Sequence, residues 1–395
     1  MSGADGRKKT PEQLLVDLDS PSKIVRLDVA QDPDATPEAL MGALGDVSYS
    51  NREAAARHPN ATPEVLMKAL GDVSSFVRGV AASHPNATPE VLMGALGDRN
   101  IRVRTAAARH PNATVGVLMG ALGDRNIRVR TAAACHPNAT PEILIEALGD
   151  KSHRVHDHAL SHPNATAEVL TEALEDGDYN ALYLAARHPN ATVEILIEAL
   201  GARDWTTRQN AASNSSATPE VLMRALGDES PTVREAAARH PNATPEVLMK
   251  ALGDGDELVR WEAAGNRKAT PGILLKALED EDHRVSQNAA ANPEATPEVL
   301  MKALGDGDEH LRWAAAANPN ATPEVLIRAI EDESVRVRQI AARNPNIKKL
   351  DIPIERWLEM VADGMFVGHA KNIPARVKRD PRYKGMVLLR KLSPK

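Results

Sequence analysis

A 26-residue unit occurs thirteen times in succession, in registers that begin at residues 6, 32, 58, 84 and so on to 318. The block VLMGALGDRNIRVRTAAA is present at residues 91–108 and again, unchanged, at residues 117–134. A period of this size is typical of a solenoid, in which each unit contacts only its neighbours. The repeat therefore predicts one array from residue 6 to residue 343, rather than two or three globular domains.

Each repeat has the pattern of two short helices joined by a tight turn. In repeat 10 (residues 240–265), Thr244-Pro245-Glu246 is a helix start, because threonine caps free amides, proline suits the first helical position and glutamate complements the positive helix end. This helix is expected to run from Pro245 to Leu252 and to end at Gly253 in a left-handed conformation. A second helix is expected from Asp256 to Ala264. The pattern predicts an all-α fold, a right-handed α-solenoid of thirteen two-helix repeats.

The inward face of the second helix is marked by small residues. Val259 and Ala263 lie four positions apart and are expected to face the core. The place of Ala263 is alanine in twelve repeats and Val29 in the first. We therefore expect the backbones of neighbouring helices to approach closely there.

Two stretches resemble known repeat families. ALGDRNIRVRTAAA, at residues 121–134, resembles the second half of HEAT-type repeats, and AARHPNATPEVLMKALGD, at residues 55–72, resembles the leucine-rich repeat variant. The resemblance covers about 338 of the 395 residues and implies a scaffold or binding surface without catalytic activity. The iron–sulfur module of the variant family needs several cysteines, whereas this chain has only Cys135. No cofactor is therefore expected.

Composition and charge narrow the class further. The N-terminus lacks the apolar run of a secretory signal, and no later stretch is long enough to span a membrane, so we expect a cytoplasmic protein that binds no membrane. The net charge of −6 is unevenly distributed. Residues 347–395 contain twelve Lys/Arg and five Asp/Glu, whereas the rest of the chain contains 36 basic and 49 acidic residues. An acidic array is unusual for a protein that coats a DNA duplex.

No catalytic motif stands out from the repeat. There is no phosphate-binding glycine loop, nucleophile elbow, HExxH or paired-cysteine spacing, so we expect no enzyme and no metal site. The recurring NAT triplets match a glycosylation sequon but are interpreted as structural. A row of histidines is expected to bond nearby backbone, because side chains on neighbouring layers rarely converge on one metal ion. The row comprises His58, His84, His110, His136, His162, His188 and His240, with asparagine at 214, 266, 292 and 318.

An arginine row runs through the second helices. Arginine occupies the place of Arg260 in ten repeats, and His156, Leu182 and Ser286 are the exceptions. An aspartate stands six residues earlier in most repeats, as Asp72 does before Arg78. The two rows favour an arginine–aspartate ladder that joins the repeats, although an arginine row could also bind phosphates.

Aromatic side chains concentrate at two variable places of the second helix. Only 3% of the residues are aromatic, and Trp and Tyr are enriched at binding hot spots. Tyr179 and Tyr183 lie four apart, and Trp261 and Trp313 occupy the same place two repeats apart. The pattern favours an exposed partner-binding face, with packing between repeats as the alternative. The candidate residues are Tyr49, Tyr179, Tyr183, Trp205, Trp261 and Trp313.

The turns between the helices change sign along the array. Repeats 4–6 have a basic patch, and repeats 9–13 are rich in Asp and Glu. Solvated edges are one interpretation, and a dipolar edge that orients a partner or a second copy is the other. The basic patch comprises Arg99, Arg102, Arg125, Arg128, Lys151 and Arg154.

The C-terminal residues break the repeat. Residues 1–5 are expected to be a short extension, residues 344–374 a cap and residues 375–395 a basic tail. The segment 353–363 predicts an amphipathic helix that covers the last layer with Trp357, Leu358 and Val361. The tail is expected to contact nucleic acid or an acidic surface. Its basic residues are Arg376, Lys378, Arg379, Arg382, Lys384, Arg390 and Lys391.

These observations leave three functional hypotheses. The first is a non-enzymatic scaffold that binds a protein along its repeats. The second is a HEAT-like nucleic-acid-binding protein that uses the basic patch or the tail. The third is a structural or self-assembling component of a particle or complex. The partner's identity does not follow from the sequence.

Overall fold

The structure is a computed structural model that describes residues 9–175, 179–366 and 369–392. The side chain of Tyr179 and those of residues 387–392 lie outside the described part. The chain divides into two compact bodies, an N-terminal body (Met1–Asn190) and a C-terminal body (Ala191–Lys395). Among the described residues, none of the helices is both long and apolar enough to cross a membrane.

Every regular element in the described residues is helical, which confirms the all-α prediction. Each repeat contributes a first and a second helix. The first helices are α1 (Pro11–Asp17), α3 (Pro37–Ala43), α5 (Pro63–Leu70), α7 (Pro89–Leu96), α9 (Val115–Leu122), α11 (Pro141–Leu148), α13 (Ala167–Glu175), α15 (Val193–Leu200), α17 (Pro219–Ala225), α19 (Pro245–Ala251), α21 (Pro271–Ala277), α23 (Pro297–Leu304) and α25 (Pro323–Ile330). The second helices are α2 (Lys23–Gln31), α4 (Tyr49–Arg57), α6 (Ser75–Ala82), α8 (Ile101–Ala108), α10 (Ile127–Ala134), α12 (His153–Leu160), α14 (Tyr179–Arg187), α16 (Trp205–Ser213), α18 (Pro231–Arg239), α20 (Glu257–Gly265), α22 (His283–Ala291), α24 (Glu309–Ala317) and α26 (Val335–Arg343).

The first helices begin as the Thr-Pro-Glu pattern predicts. The hydroxyl of Thr244 accepts a hydrogen bond from the amide of Val247 at 3.4 Å and caps α19. In α5 the hydroxyl of Thr62 instead bonds the carboxylate of Glu64, and this bond, with that of the Glu64 amide, lowers the pKa of Glu64. The same threonine thus caps some helices directly and others through the glutamate.

The expected left-handed end of the first helices is wrong. Gly71, at the end of α5, has φ −84° and ψ −1°, and its N–H donates to the carbonyl of Lys68 at 3.0 Å. Gly253 closes α19 with the same bond to Lys250 at 3.0 Å. Among the described residues only Gly364 has a positive φ. The turn is a tightened right-handed one, which explains why glutamate replaces glycine at Glu279 and Glu331.

Within each body, like helices stack on like helices. Second helices contact second helices from α2 to α14 and from α16 to α26, and first helices stack similarly from α1 to α13 and from α15 to α25. Val259 and Ala263 of α20 are fully buried, as predicted, and Val29 takes the same place in α2. Because alanine has almost no side chain there, neighbouring second helices can pack closely. Each body is therefore a two-layer α-solenoid with a continuous aliphatic core.

After the last repeat, the C-terminal residues form helices that do not follow the two-helix pattern of the repeats. A 3₁₀-helix, η1 (Pro345–Lys349), contacts α25 and α26, whereas α27 (Ile354–Ala362) packs with α28 (Ala375–Arg379) and α29 (Pro381–Leu392). A second 3₁₀-helix, η2 (Ala370–Asn372), contacts η1. Trp357, Leu358 and Val361 are buried, as predicted. η1 contacts both helices of the last repeat, and the expectation that α27 also covers this layer stays a prediction.

Candidate functional site

The arginine–aspartate ladder is present, and it joins consecutive repeats. Nε of Arg104 donates to the carboxylate of Asp124, twenty residues later, at 2.6 Å. Its Nη1 donates to the backbone carbonyl of Asp98, six residues earlier, at 2.9 Å. Each arginine therefore holds the turn of its own repeat and the aspartate of the next, which confirms the structural interpretation. The pairs are 26–46, 52–72, 78–98, 104–124, 130–150, 208–228, 234–254, 260–280 and 312–332.

Burial and charge both act on the ladder aspartates. Burial alone would raise the pKa of Asp124, but the bonds from Arg104 and from the Asn126 amide outweigh it and lower that pKa. The ladder is interrupted within the C-terminal body at Ser286. Asp306, the residue twenty positions later, is exposed, whereas the paired aspartates are not. The ladder arginines are thus occupied inside the structure and are not available to bind phosphates.

The histidine row also bonds backbone, as predicted. Nδ1 of His84 accepts the N–H of Asn86 at 3.1 Å, so its other nitrogen, Nε2, carries the proton and donates to the carbonyl of His58 at 3.0 Å. Where asparagine replaces histidine, the amide does the same. Nδ2 of Asn292 donates to the carbonyl of Asn266 at 3.0 Å, and its Oδ1 accepts the N–H of Glu294 at 2.8 Å. Both side chains join successive repeats through main-chain groups.

Burial favours the neutral form of these histidines. It lowers the pKa of His84, His162 and His240, and the backbone bond at Nε2 opposes it only in part. Neighbouring histidines in the row lower the pKa of His84 and His162 further. A protonated ring would also lose the acceptor at Nδ1. Burial and hydrogen bonding therefore both favour the neutral form of His84, His162 and His240.

The recurring asparagine of the NAT triplets forms a second row that sequence reasoning missed. Nδ2 of Asn86 donates to the carbonyls of Pro59 and Ala61, both at 3.0 Å. Its recurrence beside a turn proline was the available signal, but only the stacked repeats show which carbonyls it reaches. The triplets are structural, as interpreted.

The basic patch lies on one exposed edge of the N-terminal body, and we call it the basic strip. Arg99, Arg102, Arg125, Arg128, Lys151 and Arg154 are all exposed. Within the described part of the chain none of the six forms an ion pair, because the nearby turn aspartates belong to the ladder. The Arg99 guanidinium donates only weakly, to the carbonyl of Val73 at 3.4 Å.

The predicted aromatic residues are divided between the two bodies, with Tyr49, Tyr179 and Tyr183 in the N-terminal body and Trp205, Trp261 and Trp313 in the C-terminal body. Tyr49 is 40% exposed, and its ring packs edge-on against Phe76 with centroids 6.5 Å apart. Tyr183 is half-buried, and the Arg187 guanidinium lies 5.5 Å from its ring centroid. Trp205 is 48% exposed at the start of α16. The predicted patch of Tyr179 with Tyr183 stays a prediction, since the Tyr179 side chain lies outside the described residues.

Trp261 and Trp313 are brought together, and they line one groove of about 470 Å³ in the C-terminal body. Each indole is 40% exposed. Trp261 lies on α20 and Trp313 on α24, and α22 runs between them and contacts both helices. We call this site the tryptophan groove. Its other lining residues are Leu258, Arg284, Gln287, Asn288, Ala291 and Ala314.

The floor of the groove is low, and hydrogen bonds hold it in place. Gln287 occupies on α22 the place that Trp261 and Trp313 occupy on their helices. Nδ2 of Asn288 donates to the carbonyl of Trp261 at 2.8 Å and so fixes α22 against α20. Leu258, which is exposed, adds apolar surface beside Trp261. The result is a mainly apolar trough with an indole on either side.

Carboxylates border the groove where the three helices begin. Glu257 and Glu309 lie one turn before Trp261 and Trp313 and share their helix faces. The first residues of the three helices and their caps (256–258, 282–284 and 308–310) include five Asp/Glu and one arginine. Arg284 lies 2.8 Å from Asp282 and 3.3 Å from Glu257. This end of the groove is therefore negatively charged.

Sequence reasoning missed four residues of these surfaces. Phe76 and Leu258 stand one place after the aromatic row of Tyr49 and Trp205, where other repeats carry Arg102 or Arg128. Their exposure at a place that is otherwise polar was the available signal. Gln287 and Ala291 line the groove because both are smaller than tryptophan, and no sequence signal marks them.

The basic tail contacts the cap in its described part. The Arg376 guanidinium donates to the carbonyls of Leu350 and Ile352, at 3.2 and 3.0 Å. The Arg382 guanidinium lies 3.1 Å from Glu355 and 2.9 Å from Asp380. Lys378, Arg379 and Lys384 lie on the same helices, and the side chains of Arg390 and Lys391 are outside the described residues. These contacts are with carbonyls and a carboxylate of the cap, and the predicted contact of the tail with nucleic acid or an acidic surface stays a prediction.

The chain resembles other helical-repeat proteins of known structure. No protein-family model matches it, and no curated protein matches it. It is similar to a leucine-rich repeat variant with a novel repetitive structural motif, at 23% identity over 56% of this chain and 87% of that chain, with a TM-score of 0.41. It is also similar to Kap121p bound to Pho4p (12% identity, 91% and 52% of the chains, TM-score 0.43). A third neighbour is the S. pombe condensin Cnd3–Cnd2 subcomplex (13% identity, 91% and 68%, TM-score 0.29). The chain spans about half the length of the Kap121p chain.

Proposed function

We propose that this protein is a non-enzymatic scaffold that binds a protein partner in the tryptophan groove. The observation that carries the proposal is the pair of half-exposed indoles on either side of an apolar trough. Exposed Trp is costly in contact with water and is characteristic of binding hot spots.

The repeat itself supplies a control for this interpretation. At the place of Trp261 and Trp313, other repeats carry Thr105, Thr131 and Gln287 and form the same two helices. The fold therefore needs no aromatic residue there. This variation argues against an essential role in packing between repeats and supports binding.

The test is capture of proteins from the source cells with matched variants. Trp261→Ala combined with Trp313→Ala is expected to lose partners that the unchanged protein retains. The control is Met249→Ala combined with Met301→Ala, because these side chains are also two repeats apart and are 39% and 42% exposed, but lie on first helices. Equal capture by the tryptophan variant, with unchanged helicity, would refute the proposal.

The basic strip favours a second candidate function, binding to nucleic acid. Six exposed cations follow the repeat on one edge, and the local aspartates are neutralised by the ladder. A duplex DNA probe is expected to bind with a steep decrease in affinity as salt rises. Arg102→Ala, Arg128→Ala and Arg154→Ala together are expected to reduce that slope. An affinity that does not depend on salt, or on these residues, would exclude this function.

A further inference from the structure

The tryptophan groove has a width, a chemistry and a charge that together describe its occupant. We infer that it accepts one amphipathic α-helix of the partner, with an apolar stripe against the two indoles and lysine or arginine residues over the acidic end. The inference rests on the proposed function and specifies the chemical class of the partner.

The width follows from the stacking. Neighbouring packed helices lie about 8–10 Å apart, so the axes of α20 and α24 are about 16–20 Å apart across α22. The indoles project from these two helices, and Gln287 between them is smaller. A helix with its side chains is about 10–12 Å in diameter, which suits a trough that is one repeat wide. A single side chain would not contact both rings at this separation.

The surface chemistry favours an apolar stripe on the occupant. Leu258, Ala291 and the two indoles supply carbon surface, and the side-chain amide of Asn288 in the floor already donates to the Trp261 carbonyl. An extended strand would need a free backbone edge to pair with. The described surface of the groove is formed by side chains of helices, whose main-chain groups are bonded within the helices.

The negative charge at one end of the groove indicates where the bound helix carries its basic residues. Glu257 and Glu309 are each one turn from a groove tryptophan, and Asp256, Asp282 and Asp308 cap the same three helices. Arg284 pairs with Glu257 and Asp282 and offsets part of this charge. Nucleic acid and acidic peptides would be repelled at this end, whereas Lys and Arg would be attracted.

The experiment is calorimetric titration of the full chain with a synthetic peptide of about 15 residues, a length at which a designed helix is partly formed in water. The peptide carries leucine at helix spacing and lysine in its first turn. A second peptide replaces each lysine with glutamate, and a third carries two prolines that prevent the helix. We expect the lysine peptide to bind at least about tenfold more tightly than either of the others at low salt.

Protein variants test the geometry. Trp261→Ala with Trp313→Ala is expected to weaken binding of the lysine peptide about tenfold or more, whereas Met249→Ala with Met301→Ala leaves it unchanged. Gln287→Trp is the decisive variant, because a third ring on α22 fills the trough while adding apolar surface. We expect it to abolish binding. Tighter binding by this variant, or equal binding of the helical and proline peptides, would overturn the inference.

The outcomes distinguish a failure of the helix inference from a failure of the proposed function. If the lysine peptide fails to bind but capture from cells still requires both tryptophans, the groove binds a partner of another shape and only the helix inference fails. If capture is also independent of the tryptophans, the proposed function fails as well.

Discussion

Repeats 4–6 and repeats 11–13 share one backbone pattern, and two of the places at which they differ can be compared directly. At the buried place the first group carries histidine and the second asparagine, and both make the same bonds to the preceding repeat. At the exposed turn place the first group is basic and the second is acidic or glycine. The comparison teaches that the buried place is constrained by hydrogen-bond geometry, whereas the turn is free to take either sign. The turn residues are Arg99, Arg125 and Lys151 against Glu281, Gly307 and Glu333.

The largest effect on stability should come from breaking the arginine–aspartate ladder, which both regions contain. Arg104→Ala leaves the carboxylate of Asp124 buried without its partner, and Arg260→Ala does the same to Asp280. We expect each to lower local stability by about 3–5 kcal/mol, the range for a broken buried ion pair. Hydrogen exchange of the amides in the affected repeats measures the loss.

A matched control lies two residues away. Arg102 is exposed on the same helix as Arg104 but does not belong to the ladder, so Arg102→Ala should change stability by no more than about 0.5 kcal/mol. Equal losses for Arg102→Ala and Arg104→Ala would mean that the ladder contributes nothing specific.

The second prediction concerns the histidines, where the two regions should respond differently to acid. Because burial lowers the pKa of His84 and His162, the folded state binds fewer protons than the unfolded chain. Their contribution is therefore present above the unfolded pKa of about 6.5 and is lost as the pH falls below it. We expect repeats 4 and 7 to lose exchange protection on acidification, after correction for intrinsic exchange.

Asparagine provides the control for the acid response. Repeats 12 and 13, with Asn292 and Asn318, should keep their protection over the same pH range. His84→Asn should remove the response of repeat 4 without loss of stability at neutral pH. Loss of protection in both groups alike would contradict a histidine origin.

Much of the fold could be predicted because similar local sequence patterns recur along the thirteen repeats. Thr-Pro-Glu starts and the buried Val259 and Ala263 are local features, and the structure agrees with them. The handedness of the turn at Gly253 was predicted wrongly, because glycine permits a left-handed residue but does not require one. Glutamate at the same place in three repeats was the contrary signal.

The ladder and the groove show where sequence reasoning reaches its limit. An arginine such as Arg104 has an aspartate both six residues before and twenty residues after it. Only the stacked helices show that it bonds the carbonyl of Asp98 and the carboxylate of Asp124. Likewise, the register places Trp261 and Trp313 in one row, but the trough between them depends on α22, whose side chain at the same place, Gln287, is smaller than an indole.

The third prediction completes the ladder where it is interrupted. Ser286→Arg places a guanidinium twenty residues before the exposed Asp306 and six residues after Asp280. The paired arginines of the ladder have the same spacing to the two residues whose carboxylate and carbonyl they bond. We expect a gain of about 1 kcal/mol, because a charged hydrogen bond of about 1.5–3 kcal/mol is offset by the entropy of ordering the side chain. Exchange protection in repeats 11 and 12 measures it. Ser286→Lys is the control, since a lysine lacks the planar fork that bonds a carboxylate and a carbonyl together.

The smallest predicted effect comes from exchanging the turn signs. In the C-terminal body, Glu229 and Glu333 lie 3.1 Å from the ladder arginines Arg208 and Arg312, which precede them by 21 residues. Arg99 stands at that spacing from Arg78. Arg99→Glu is therefore expected to add a second carboxylate to the ion pair of Arg78 and to raise local stability by about 0.2–1 kcal/mol at low salt, the range for an exposed pair.

Hydrogen exchange in repeats 3 and 4 at two ionic strengths measures this gain in stability, which should shrink as salt rises. Arg99→Gln removes the positive charge without supplying a carboxylate, so it separates relief of repulsion from formation of the new pair. A clear destabilisation by Arg99→Glu would show that the sign of the turn in repeats 4–6 is set by folding, and the basic strip would then need no binding partner to explain it.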